Sequence, residues 1–387
     1  MSVSFSYYVG QPPTAITPED PQWRAALPLN RHAAAAQPQT AAAGELSYGD
    51  YFDAARRFLI RDGMAVALCA VSEPGAGSCP GDIDHIRVEL SKHGAFYHPS
   101  KVILEIGAQR RQMVLNVAIS DAGRAVLDQE YSNLARLNAL GHGYLPRLFG
   151  RGAERIGDKD MEIFAAEWLE GFCEFHLSPS PEGAPRWQVW GDRGERWDLN
   201  RGQVFDLYRQ AVAILTRYYH PVTFEAVSGW HHAAGDFIVS AEARGLLVRL
   251  ITVRRYAPLF RLEEEHTPNI EEMLEGLTAF FVDTSLRMRL DRDAGVGELV
   301  WAPDEILPAI WEGFIQGLEQ TVLVLQLPAE IVPAVQRYLA LHPPEDLLEI
   351  GNHIVGRYPH DSEDRRIIER HLTRHMQRLG EILTAEA

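Results

Sequence analysis

Between Ile86 and Ser120 the chain reads IRVELSKHG, SKVILEIG and RQMVLNVAIS, three short β-prone runs separated by turn-prone residues. Branched and long apolar residues alternate there with polar ones, and the pattern predicts an antiparallel meander. The next stretch is of another kind. DAGRAVLDQEYSNLARLNALG places Val126, Tyr131, Leu134, Leu137 and Leu140 at helical spacing and ends near Gly141 and Gly143. DMEIFAAEWLEGF then reads as a strand running into a turn. Strands with one helix among them, followed by a long helical remainder, define an α+β chain rather than a parallel α/β sheet.

The flanking segments fill in the organisation. Residues 1–45 are rich in Pro, Ala and Gln and suggest a mobile or arm-like lead-in. YGDYFDAARRFLIRDG has helical spacing and a glycine stop, MAVALCAV reads as a strand, and EPGAGSCPGD as a loop. An insert at 178–200 carries Trp187, Trp190 and Trp197, and RGQVFDLYRQAVAILTRYYH after it is a strongly amphipathic helix. Beyond residue 260 the pattern is almost wholly helical. Two lobes are therefore expected: a small antiparallel-sheet lobe with a helix over 46–170, and a mostly helical lobe over 171–387.

Composition excludes some function classes. Across 387 residues the formal net charge is −16, which argues against a general nucleic-acid or anionic-membrane surface. The N-terminus lacks the basic and apolar regions of a signal peptide, and the longest apolar runs, such as TVLVLQL, are too short to cross a bilayer. A cytoplasmic protein is expected. Cys69, Cys79 and Cys173 form no metal-binding pattern. Lysine occurs only at Lys92, Lys101 and Lys159; arginine supplies 34 of the 37 basic residues. Any chemistry that needs a lysine has three candidates.

WHHAAGDFIV, residues 230–239, has the outline of a phosphotransferase catalytic loop. Taken with the strand and helix order, it resembles the protein-kinase-like fold, above all the bacterial aminoglycoside and choline phosphotransferases and the lipopolysaccharide-core sugar kinases. The resemblance covers roughly residues 83–260. It puts SKHGAFYHPSKV, with Gly94 alone, at the glycine-rich loop, and VAIS, with Ser120, where the third-strand lysine is expected. It makes Glu130 the partner glutamate of the following helix and AAEWLEGF the hinge. Matching Gly-Asp-Phe-Ile-Val to the family's Gly-Asn-Phe-Leu-Val sets Asp236 at the metal-binding position and His231 at the catalytic base. In VRLITVRRY, Thr252 then replaces the magnesium-binding aspartate.

Three of the four charged groups that phosphoryl transfer uses are thus missing, and transfer depends mainly on positioning and neutralising phosphate charge. The resemblance implies a kinase-like protein deficient in phosphotransfer, binding a nucleotide-like or anionic small ligand in an interlobe cleft or acting as a scaffold. The alternative is an active atypical phosphotransferase using ATP with Mg²⁺ or Mn²⁺. It would draw on Lys101 as a relocated phosphate-binding lysine, Asp236 as metal ligand and catalytic group, and His231 as base. His231, His232 and Asp236 gathered round a transition metal is a further option, weighed against ordinary hydrogen-bonded histidines. Arg254 and Arg255, at the end of the metal-binding motif, are candidates for an anionic ligand or for salt bridges.

Overall fold

The computed structural model describes residues 3–29, 41–42, 45–72, 83–180, 184–191, 194–230, 235–242, 245–260, 266–293 and 297–385. The chain is mixed α+β and divides into two compact units, Met1–Glu170 and Gly171–Ala387. Among the described residues no helix is long and apolar enough to cross a membrane.

The N-terminal unit is built on a seven-stranded sheet. The expected meander is there as β3 (His85–Leu90), β4 (His98–Ile106) and β5 (Gln109–Ala118), all antiparallel. After helix α2 (Asp121–Asn138) the chain returns as β6 (Leu148–Ile156) and β7 (Lys159–Glu167), and β7 pairs with β5. The lead-in expected to be an arm is a correction. Residues of that segment form β1 (Ser4–Val9) and β2 (Thr14–Ile16), and the full order is β2-β1-β3-β4-β5-β7-β6. β1 runs parallel to β3 and covers what would otherwise be an open sheet edge. SFSYYV alternates in the manner of a strand, a signal masked by the Pro- and Ala-rich residues after it.

Helix α1 (Tyr48–Val71) is the second correction. Ser47 opens it with a capping box to Asp50. The glycine stop is real, since Asp62, Gly63 and Met64 all have positive φ, but MAVALCAV then resumes as helix rather than strand. Met, Leu and three alanines are strong helix formers, and Ala67 and Ala70 bury against the sheet. The two helices take opposite faces. Met113, Leu115 and Val117 of β5 share the α1 core with Tyr51, Phe52 and Phe58. Phe164, on the other face of β7, meets Tyr131 of α2 at 5.8 Å between ring centroids.

In the C-terminal unit the tryptophan insert becomes a three-stranded sheet, β8 (Glu174–Pro179), β9 (Pro185–Trp190) and β10 (Arg196–Asp198). The buried Trp187 indole donates to the hydroxyl of Tyr208 on α3 (Arg201–Arg217) at 3.0 Å, so this insert packs onto its own unit. Two small sheets come next. β11 (Glu225–Ser228) pairs with β14 (Arg255–Pro258), and β12 (Phe237–Glu242) forms a hairpin with β13 (Gly245–Leu250). The rest is helical, α4 (Ile270–Arg287), α5 (Leu307–Val324), α6 (Ile331–Ala340), α7 (Pro344–Val355) and α8 (Glu363–Ala385). It is interrupted by the short hairpin β15 (Leu290–Arg292) and β16 (Leu299–Trp301).

α3 and α5 approach closely because α5 presents glycines to it. A Cβ on Gly313 would lie 2.2 Å from the carbonyl oxygen of Arg209, a backbone atom that cannot swing aside. Gly313→Ala adds about 1 kcal/mol of helix propensity but forces the helices apart, an overpacking cost of about 1–3 kcal/mol. A net loss of up to about 2 kcal/mol is expected in urea unfolding. A stabilised variant would show that the helices are not in this close contact.

Candidate functional site

The candidate residues fall into two groups, one in each unit. In the N-terminal unit the β3–β4 loop is pinned by its own sequence. Gly94 N–H donates to the Tyr97 carbonyl at 3.1 Å, and a Cβ on Gly94 would sit 2.3 Å from that oxygen, so the turn needs glycine. The Tyr97 side chain donates its hydroxyl to Glu130 Oε2 at 2.7 Å. Glu130, on α2, is buried. On the opposite side of the loop, His93 and His98 meet Nδ1 to Nδ1 at 3.0 Å, and the Tyr48 hydroxyl lies 3.1 Å from His93 Nε2. Burial, then the neighbouring His93, pushes the His98 pKa down to about 3.

Ser120 is not a strand residue. β5 ends at Ala118, and Ser120 is the N-cap of α2, its hydroxyl accepting from Gly123 N–H at 3.1 Å. It lies two residues beyond the strand at whose end the resemblance set the lysine position. Lys101 lies inside β4, where its Cα partner on β5 is Val114. Because Met113 and Leu115 face α1, Val114 and its partner Lys101 face the α2 side, the side that holds Glu130. The Lys101 ammonium rests 4.7 Å from the ring centroid of Trp168, just past the end of β7. Lys101, Glu130, Tyr97 and Trp168 thus form a polar and aromatic constellation on one face of the sheet. Tyr97 and Trp168 carried no sequence signal beyond lying in the loop and hinge segments.

In the C-terminal unit the centre is Asp236, fully buried just before β12. Both carboxylate oxygens accept from Arg254: Nη1 donates to Oδ2 and Nη2 to Oδ1, each at 2.9 Å. That is the bidentate geometry a guanidinium suits best. The backbone holds the pair in register, since Ile251 N–H donates to the Asp236 carbonyl at 2.9 Å. This brings the start of the hairpin beside Thr252, which is also buried. Gly235 takes a left-handed φ of 68°, and a Cβ there would lie 3.0 Å from the Glu174 carboxyl, two reasons for glycine before the aspartate. Arg255 opens β14 and is exposed. His231 and His232 lie outside the described residues, as does Cys79.

A neighbouring cluster was not anticipated. His176, buried on β8, has Nδ1 3.6 Å from Asp291 Oδ1 and Nε2 3.9 Å from Glu174 Oε2, with its ring edge-on to Trp190. Burial pulls its pKa down, but Asp291 and Glu174 outweigh that and raise it to about 9. The imidazolium therefore stays charged at neutral pH. Among the described residues, no group of three or more His, Cys, Asp or Glu side chains is arranged to hold a metal ion. No protein-family model and no curated protein matches this chain.

Proposed function

We propose that the chain is a kinase-like protein deficient in phosphotransfer, which binds a nucleotide-like or anionic small ligand at the Lys101–Glu130 face of its N-terminal sheet. The order of elements supports the kinase-like, two-lobed reading. Three antiparallel strands are followed by a helix bearing a buried glutamate, two more strands, and then a mainly helical unit with a hairpin just after the Gly-Asp turn. We read the ligand as anionic because Lys101 sits on the same side of the sheet as Glu130, with a tryptophan ring under it. Such a lysine supplies a point charge for a phosphate or carboxylate, and the flat ring beside it suits a planar group.

One observation carries the deficiency. Asp236, the carboxylate that the resemblance assigns to a metal, is charge-neutralised on both oxygens by Arg254. Mg²⁺ demands near-octahedral oxygen ligation. Here the carboxylate lone pairs face a guanidinium and the second ligand position is Thr252, a neutral side chain. These residues do not fit a divalent ion, and no transfer step is assigned to them. The atypical-phosphotransferase reading would require Asp236 to leave Arg254 first.

Lys101→Ala tests the binding face. The affinity for ATP or its non-hydrolysable analogue, measured without metal, is expected to fall at least tenfold, a loss of about 1.4 kcal/mol or more. The melting temperature should stay near that of the unaltered chain. Equal affinity in the variant would remove Lys101 from the site.

A further inference from the structure

A cavity of about 610 Å³ lies wholly within the C-terminal unit, between the N-terminal turn of α5, β16 and the last turns of α8. Its floor is Arg289, almost fully buried, which donates from Nη2 to Asp304 Oδ1 at 2.8 Å. Its rim is formed by two further arginines of α8. Arg374 donates from Nη2 to Asp304 Oδ2 at 2.9 Å, and Arg378 Nε lies 3.6 Å from the same oxygen. Three guanidiniums thus converge on one carboxylate. Arg378 is shared with Glu381, and Glu305 lines the cavity from an exposed position. One wall is flat: His371 stacks on Trp301 with 5.0 Å between centroids and 7° between planes.

We propose that this cavity binds a small polyanion, a phosphate- or carboxylate-bearing metabolite, clamped by Arg374 and Arg378 at its rim. The volume falls within the roughly 300–1,000 Å³ of small-ligand pockets. Arg374 commits two N–H groups to Asp304, from Nε and Nη2, out of the five donors that a guanidinium carries. Its side chain is 75% exposed and reaches an incoming anion without rearranging the core. The local potential agrees. Burial, then Arg289, Arg370 and Arg374, hold the His371 pKa down, and Asp304 alone opposes them. Leu307 and Pro308, in the first turn of α5, also line the cavity, and no side chain caps that helix. This site is independent of Lys101.

Calorimetric titration of the full chain with pyrophosphate and with citrate, at ionic strength fixed with KCl, tests the proposal. At least one of the two is expected to bind. The Arg374→Gln/Arg378→Gln double variant should lose at least tenfold in affinity, and Arg110→Gln, at an exposed ion pair of β5, should lose none. Binding of pyrophosphate alone identifies a phosphate ligand, and of citrate alone a carboxylate. If the double variant does not fold, Arg374→Gln by itself carries the same comparison. Failure of both anions to bind, equal affinity in the Arg374 and Arg378 variants, or an equal loss in Arg110→Gln would each overturn the assignment.

Discussion

Replacing Arg254 with leucine is expected to destabilise the C-terminal unit by about 3–5 kcal/mol, the usual cost of breaking a buried ion pair from one side. Asp236 is completely buried and its two oxygens are held by this guanidinium. Leucine takes away the guanidinium that holds both oxygens of this buried carboxylate. The second arm is Asp236→Leu/Arg254→Leu, in which no charge is stranded. It should recover a large part of the loss, because removing both members of a buried pair is often close to neutral. Denaturant unfolding of the two single variants and the double variant gives the coupling. A mild Arg254→Leu effect, below about 1 kcal/mol, would mean that the pair is not what holds the hairpin and Thr252 together.

Acidification from pH 7 to pH 5 should destabilise the chain. His98 in the N-terminal unit and His375 in the C-terminal unit each have a pKa pushed down to about 3. The causes are burial and then the adjacent His93 for His98, and burial and then Arg289 for His375. A histidine near 6.5 when unfolded and about 3 when folded binds more protons in the unfolded state. Its contribution is present above pH 6.5 and is lost as the pH falls from there toward 3. At pH 5 each costs about 2 kcal/mol relative to pH 7.5. His176 works in the other direction. Its raised pKa gives stability that is full below 6.5 and lost as the pH climbs through about 9. Urea midpoints at pH 5, 7 and 9 should therefore peak near neutrality. No loss between pH 7 and pH 5 would show that neither histidine is buried in its neutral form.

The strands of the meander and the helix bearing Glu130 were legible because each has a clear periodicity, with a glycine soon after β3, β4 and the helix. The misread segments had conflicting cues. MAVALCAV is short and wholly apolar like a buried strand, yet five of its eight residues are strong helix formers, and as a helix it buries Ala67 and Ala70 in the core. SFSYYV was overshadowed by the Pro- and Ala-rich composition of the residues after it, although its parallel pairing with β3 lies 81 residues away and leaves no local trace. At the site, Lys101 and Asp236 stood out by residue type, since lysine is scarce and Gly-Asp is a recognisable turn. The register that sets Lys101 opposite Val114, and the cap that removes Ser120 from the strand, depend on where β5 stops. A single motif alignment does not carry that. Arg254 was visible as a cation but not as the partner of Asp236, because 18 residues and a hairpin separate them. Nor was the His176–Asp291 cluster visible, its members being 115 positions apart and joined only by folding.

Arg254 holds both oxygens of Asp236, and on the proposed reading ATP binding is expected to need no divalent ion. Isothermal titration of the full chain with ATP, in EDTA and again with 5–10 mM Mg²⁺ (roughly the excess that saturates a weak site), tests it most directly. The account predicts that the affinity in EDTA is equal to or tighter than that in Mg²⁺, with no ADP formed over the titration. Micromolar binding that appears only with Mg²⁺, abolished by Asp236→Asn, would contradict it.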